Sequence, residues 1–142
     1  MYQPLADSTL QASRINASKA YRGDAEAQYN LGSWYEYGFC YEYGFPVPQD
    51  YAEAVKLYRK AADQGHAKAQ CILGLHYTLG QGVPQDVAEA YVWTSLSAAN
   101  GYTEASEIRD RAAQELSRQA LEQAQARVRE LQAEIQARIE KK

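Results

Sequence analysis

Two stretches of this chain occur more than once. GDAEAQYNLG at 23–32 returns as GHAKAQCILG at 65–74 and weakly as GYTEASEIRD at 101–110, while VPQDYAEA at 47–54 returns as VPQDVAEA at 83–90. The second pair lies 36 residues apart, and so do Gly65 and Gly101. A fixed period of this length belongs to stacked helical hairpins, in which each unit buries its apolar face only against its neighbours. The expected fold is therefore an all-α solenoid of antiparallel helix hairpins.

Within a repeat the order is helix A, loop, helix B, turn. Ala69, Ile72, Leu73 and Tyr77 recur at three- and four-residue spacing and predict a helix A over about 67–78. Gly80-Gln81-Gly82-Val83-Pro84 breaks it. Asp86, with Glu89 three residues on, predicts a capped helix B that runs to about Ala99 and stops at Gly101. Asp50, Glu53 and Gly65 repeat these signals. Gly32 and Gly74 fall inside helix A, where glycine costs about 1 kcal/mol relative to alanine. Their matched positions predict a close approach of helix B, with Ala54, Ala61 and Ala62, and Ala90, Ala98 and Ala99, as the facing residues. Four segments follow: a capping helix in 1–22, a repeat at 23–64, a repeat at 65–100, and a C-terminal segment 101–142. Ala12, Ile15 and Ala20 align with Ala54, Leu57 and Ala62, so the first segment reads as an orphan helix B.

The first repeat carries six extra residues, because YEYGFC at 35–40 is followed by YEYGFP at 41–46. Either copy can finish helix A, leaving the other as a longer loop. Pro46 stands where the second repeat has Gly82, so the two loops must differ if Gly82 uses a positive φ. The aromatics Tyr37, Phe39, Tyr41, Tyr43 and Phe45 either project as a contact surface or pack locally.

Charge and composition exclude several functions. Net charge is −3, and residues 1–101 hold 7 Lys/Arg against 10 Asp/Glu. No basic face is expected, and hence no nucleic-acid partner. No stretch approaches the about 18 apolar residues of a membrane span, and no apolar leader core opens the chain. As written it reads as cytoplasmic, although removal of a leader would leave the same sequence. Cys40 and Cys71 are too few for a disulfide framework; Cys40 is expected exposed in the inserted loop and Cys71 semi-buried. His66 is expected at a solvated helix start, and His76 at the surface or lining a groove. Nothing in the spacing suggests a metal site, a nucleophile, a phosphate loop or a carboxylate pair, so neither enzyme nor cofactor is expected.

The pattern A-x-A-x-x-x-L-G-x-x-Y, then G-x-G-V-P-x-D-x-x-x-A, then small residues and glycine resembles the Sel1-like repeat, a relative of the tetratricopeptide repeat. Ala67, Ala69, Leu73, Gly74, Tyr77, Gly80, Gly82, Val83, Asp86, Ala90, Ala98, Ala99 and Gly101 carry the match in the second copy. Ala25, Ala27, Leu31, Gly32, Tyr35, Val47, Asp50, Ala54, Ala61, Ala62 and Gly65 carry it in the first. The resemblance implies a superhelix with helices A lining a concave face, and a non-catalytic adaptor or scaffold that binds a protein or peptide. The partner-facing positions it implies are Gln28, Asn30, Ser33, Trp34, Glu36 and Tyr37 in the first repeat, with Tyr41 in the duplicated loop, and Gln70, Cys71, Ile72, Leu75, His76 and Thr78 in the second. Trp34 is the expected anchor, since tryptophan is enriched at interface hot spots. Trp93, in helix B, is expected in the core.

The C-terminal segment supports a second reading. Leu121, Ala124, Val128, Leu131 and Ile135 follow a three–four spacing. A single helix over 103–140 would be about 57 Å long at about 1.5 Å per residue, longer than two hairpins can cover. Its stripe then folds back onto the concave face or pairs with a second copy through Leu121, Val128, Leu131 and Ile135, giving a homodimer. Ser117 is the point where such a helix can break.

Overall fold

Short polar side chains start four of the helices of this protein and glycines stop most of them. The computed structural model describes residues 4–40 and 44–142, with side chains from residue 11 onward except that of Phe45. The helices are α1 (Pro4–Tyr21), α2 (Ala25–Tyr37), α3 (Tyr51–Ala62), α4 (Ala67–Leu79), α5 (Val87–Ala99), α6 (Ala105–Glu115) and α7 (Arg118–Glu140). A short antiparallel pair, β1 (Phe39–Cys40) and β2 (Phe45–Pro46), stands between α2 and α3. Asp24, Asp50 and Asp86 cap α2, α3 and α5, and each carboxylate accepts from the backbone N–H three residues on, at 2.8, 3.0 and 3.1 Å. The capping boxes expected at Asp50–Glu53 and Asp86–Glu89 form on this side only. The cap N–H groups of Asp50 and Asp86 donate to Tyr35 O and Tyr77 O at 2.9 and 3.0 Å, fastening each loop to the end of helix A.

Consecutive helices pack on one another from α1 to α6, so α2 and α4, the A helices, each lie between two B helices. The seam between α4 and α5 is tight. A Cβ on Gly74 would stand 2.6 Å from Thr94 Cγ2 and 3.3 Å from Ala90 O; on Gly32 it would stand 2.9 Å from the Tyr58 ring and 3.3 Å from Ala54 O. The close approach is thus as expected at Ala54 and Ala90. Its other facing residues are Tyr58 and Thr94 rather than the alanines near the helix ends.

The seams on the other side of each A helix are held by buried amides. Gln28, 4% exposed, donates to Ala20 O at 3.2 Å, and Gln70, fully buried, donates to Ala62 O at 3.1 Å. Gln64 and Asn100 in turn donate to Gln28 Oε1 and Gln70 Oε1 at 2.9 and 3.0 Å. Each of these carbonyls also accepts from a turn glycine, Gly23 N or Gly65 N at 3.0 Å, so each glutamine adds a second donor at the end of the preceding B helix and ties the two helices together.

The first copy of the duplication finishes α2. Gly38 caps that helix at φ 69° and donates to Trp34 O at 2.9 Å. The last residues of the second copy pair with the end of the first: Cys40 pairs with Phe45, and the Gly44 N–H donates to Cys40 O at 2.7 Å. Because β1 folds back along α2, Cys40 is fully buried among Ala20, Leu31, Trp34 and Leu57, not exposed. Tyr41, with Tyr43, lies outside the described residues.

The C-terminal segment is two helices, not one. Leu116 is extended at φ −93° and ψ 143°, and Ser117 Oγ accepts from Ala120 N at 3.1 Å to start α7. α7 then runs along the B helix α5. Ala124 and Ile135 are 4% and 5% exposed, and Val128 and Leu131 pack on the core of Tyr58, Tyr77, Trp93 and Leu96. Burying Ile135 alone contributes about 2 kcal/mol. Arg127 pairs with Glu89 at 2.8 Å, Arg138 donates to Asp63 O at 3.0 Å, and Lys142 donates to Gln64 Oε1 at 2.6 Å. The stripe goes neither to the concave face nor to an open surface. Val128, Leu131 and Ile135 are used within the chain, and Leu121 is half-buried.

Gly74→Ala should lower stability by about 2 kcal/mol through overpacking, outweighing the about 1 kcal/mol of helix propensity that alanine adds. In a Thr94→Ser background, which removes the Cγ2 in the way, most of that loss should vanish. Urea unfolding of the four proteins in this cycle measures both effects.

Candidate functional site

Sandwiching an A helix leaves it one uncovered strip. On α2 that strip is Glu26, Asn30, Ser33 and Tyr37, and on α4 it is Lys68, Ile72, Leu75 and Leu79; the same positions in the third unit, where α6 packs on α5 without a second B helix, are Glu104 just before α6 and Ile108, Arg111 and Glu115 on it. These are the same positions of successive repeats, shifted by 42 and then 36 residues. Glu26, Tyr37, Lys68, Leu79, Glu104, Arg111 and Glu115 are exposed and the rest half-buried. Tyr37 and Leu79 are the large side chains that stand out, at 57% and 64% exposure.

The expected partner-facing residues divide on this geometry. Asn30, Ser33, Tyr37, Ile72 and Leu75 lie on the strip. Trp34 does not: at 4% exposure it belongs to the core beneath β1, with Ala20, Leu31, Cys40 and Leu57. Gln28 and Gln70 are the buried clamps, and Cys71 is 4% exposed. Burial pushes the Cys71 thiol above its ordinary range, with the Glu104 carboxylate adding to that, so it is a poor nucleophile. Thr78 and Glu36 sit beside the strip, half-buried. Glu26, Lys68, Leu79, Glu104, Ile108, Arg111 and Glu115 were missed. Their signal is the heptad-like offset 26/30/33/37, which the two fully matched repeats share and which α6 continues.

His76, at the repeat position of Trp34, is also buried, at 2% exposure. Its Nδ1 faces Gln81 O at 3.0 Å, and since a carbonyl only accepts, Nδ1 donates. Its Nε2 meets Glu36 Oε1 at 2.7 Å, and Tyr58 donates its hydroxyl to Glu36 Oε2 at 3.2 Å. The Tyr51 and Tyr58 rings flank the imidazole with centroids 6.0 and 5.7 Å away. This clasp joins α2, α3, α4 and the second loop, and so fixes the spacing of the first two strips. His66 makes a second bridge rather than a solvated end. Its Nδ1 accepts from Ala69 N at 3.1 Å as the N-cap of α4, its Nε2 meets Glu26 at 2.6 Å, and its ring stacks on Tyr29 at 4.8 Å. It stands at the repeat position of the cap Asp24, 42 residues earlier.

Between α4 and α6 the strips enclose a cleft of about 270 Å³. Leu75, Thr78, Leu79, Val87, Ile108 and Ala112 line it, with Arg111 and Glu115 at its mouth. The volume falls below the about 300–1,000 Å³ of small-molecule sites and suits inserted side chains. Among the described residues no cluster of three His, Cys, Asp or Glu could hold a metal ion. No helix is long and apolar enough to cross a membrane.

Glu36→Ala strips the partner from buried His76 and from the Tyr58 hydroxyl, and should cost about 3 kcal/mol by urea unfolding. Burial, and then the Glu36 carboxylate, hold the Tyr58 hydroxyl proton far above the tyrosine range. A raised pKa stabilises the fold below the ordinary value of 10.0, and that contribution is lost as pH rises beyond it. Stability measured at about pH 8 and about pH 11 should fall less steeply in Tyr58→Phe than in the parent chain.

Comparison with known proteins agrees with this architecture. Sel1 repeat signatures match residues 25–66 and 67–102. The crystal structure of a protective antigen from uropathogenic Escherichia coli strains, which displays an SLR fold, superposes with a TM-score of 0.77 at 29% identity over 92% of this chain. A Sel1 repeat protein from Oxalobacter formigenes superposes with a TM-score of 0.60 at 37% identity over 66% of it. The chain spans 28% and 36% of those two longer proteins. A search of curated protein sequences finds no match. Sel1 repeats generally mediate protein–protein interaction. With two adjacent repeat matches on a solenoid of helical hairpins, the chain belongs to the Sel1 repeat family.

Proposed function

We propose that this protein is a non-catalytic scaffold that binds a protein or peptide partner across the uncovered strips of α2, α4 and α6. The observation that carries this reading is the contrast between the buried and uncovered positions of the repeat. Buried positions that form the seams of the A helices keep their chemistry between repeats, as Gln28 and Gln70, Leu31 and Leu73, Gly32 and Gly74 do, although buried Trp34 becomes His76. Strip positions change: Asn30 becomes Ile72 and Ile108, Ser33 becomes Leu75 and Arg111, Tyr37 becomes Leu79 and Glu115. A frame that repeats while its surface varies is how a solenoid presents one particular pattern to one particular partner. Exposed Tyr37 and Leu79 supply the aromatic and aliphatic anchors that interfaces concentrate.

Photo-reactive residues placed at Ser33 and Leu75 should crosslink the physiological partner, and one placed at Glu130 on α7 should not. Tyr37→Ala and Leu79→Asp should each weaken that partner at least about tenfold without shifting the unfolding midpoint. Crosslinking confined to Glu130 would move the binding face to α7.

A further inference from the structure

The three strips are not chemically alike. On α2 the middle of the strip is polar, with Asn30 and Ser33. On α4 it is aliphatic, with Ile72, Leu75 and Leu79, and the cleft continues this across Val87, Ile108 and Ala112. The place where apolar side chains can leave water is therefore the α4–α6 seam, and not the whole A face. Two charges stand at its mouth. Arg111 is bridged to Glu107 at 2.8 Å, so its charge is answered within α6. Glu115 has no ion-pair partner among the described residues. The mouth therefore presents net negative charge beside an apolar floor.

We infer that the α4–α6 cleft takes a basic amphipathic helix, inserting aliphatic side chains one turn apart between Leu75, Leu79 and Ile108 and setting a lysine or arginine against Glu115. This rests on the reading of the A strips as the binding face and adds the partner's chemistry to it. An amphipathic helix presents such anchors at i and i+4. A cleft of about 270 Å³ is filled by side chains of that kind. An acidic partner would bring like charge to Glu115, and the apolar floor gives a purely polar partner nothing to bury.

The test uses the full chain and three labelled synthetic peptides built on one alanine-rich helix: leucines at i and i+4 with lysine flanks, the same leucines with glutamate flanks, and lysine flanks with serines replacing the leucines. Fluorescence anisotropy should rank the lysine–leucine peptide first, by about three- to fivefold over the glutamate version, as one exposed ion pair permits. Glu115→Lys should invert the order of the flanks. Leu79→Asp or Ile108→Asp should weaken binding at least about tenfold. Backbone NMR shifts on titration then locate the peptide. Shifts centred on Leu75, Leu79 and Ile108 support the inference. Shifts confined to Asn30, Ser33 and Tyr37 overturn it while leaving the A-strip reading standing, and shifts on α1 or α7 overturn both. Equal affinity for the two flanks, or no binding of the lysine–leucine peptide, also overturns it. So would light scattering that shows a dimer dispersed by Leu79→Asp, since a second copy would then be the occupant.

Discussion

Each A helix of this fold must bury two of its sides, one against the B helix before it and one against the B helix after it. On α4, one side needs Gly74 so that α5 can come within van der Waals contact of the backbone. The other side needs Gln70, whose amide reaches Ala62 O at the end of α3. A helix has about 3.6 residues per turn, so two buried sides leave room for a single strip of outward positions. The rest of the molecule depends on this. The strip is narrow and recurs along the A helices, and although Ile72 also packs against the core, most of its residues have a side free of the neighbouring helices.

The seams explain why the insertion in the first repeat is tolerated. Gly38 ends α2 as Gly80 ends α4, at the same φ of 69° and with the same bond back to the carbonyl four residues earlier. The extra residues therefore enter after the seam is complete, between the Gly38 stop of α2 and the Asp50 cap of α3. The cost falls on the loop. A Cβ on Gly82 would stand 2.3 Å from Tyr51 O, so the second loop lies directly on the start of α3. Pro46, at the matching position, is instead paired in β2 with Phe39. Different loops thus lead to the same N-cap, with Asp50 and Asp86 reached at nearly identical φ of −153°.

Most of the fold was legible because its signals are local. Caps, stops and the repeat period are written in Asp50, Asp86, Gly65 and Gly101, and the structure uses each of them so. The core role of Trp93, 1% exposed, followed from its helix B position. The candidate site was legible only in part, because exposure depends on which neighbour a residue meets. Trp34 looked like an anchor, but the hairpin that covers it comes from a duplication whose path the sequence left open. His76 looked like a groove residue, but its burial depends on Glu36, 40 residues away. The direction of α7 was unreadable for the same reason. Its stripe demanded a partner, and only the placement of α5 shows that the chain itself supplies one.

α6 shows how the solenoid changes character at this end. At the position of Gly32 and Gly74 it carries Asp110, which is paired with Arg109 at 3.0 Å and is largely exposed. No B helix can come close across a charged, solvated side chain as it does across glycine, so α7 cannot dock on α6 as α5 docks on α4. The Gln28–Gln70 position is now Ser106, too short to reach back to the preceding helix end as the glutamines do. Freed from its usual seat, α7 crosses to α5 and is pinned there through Arg127 and Ile135. The same loss of repeat character puts Arg111 and Glu115 into the strip where the other repeats have Ser33, Leu75, Tyr37 and Leu79. The substitutions that end the hairpin series thus also set charge beside the apolar cleft, so the end of the repeat pattern and the most distinctive part of its outward face are one structural event.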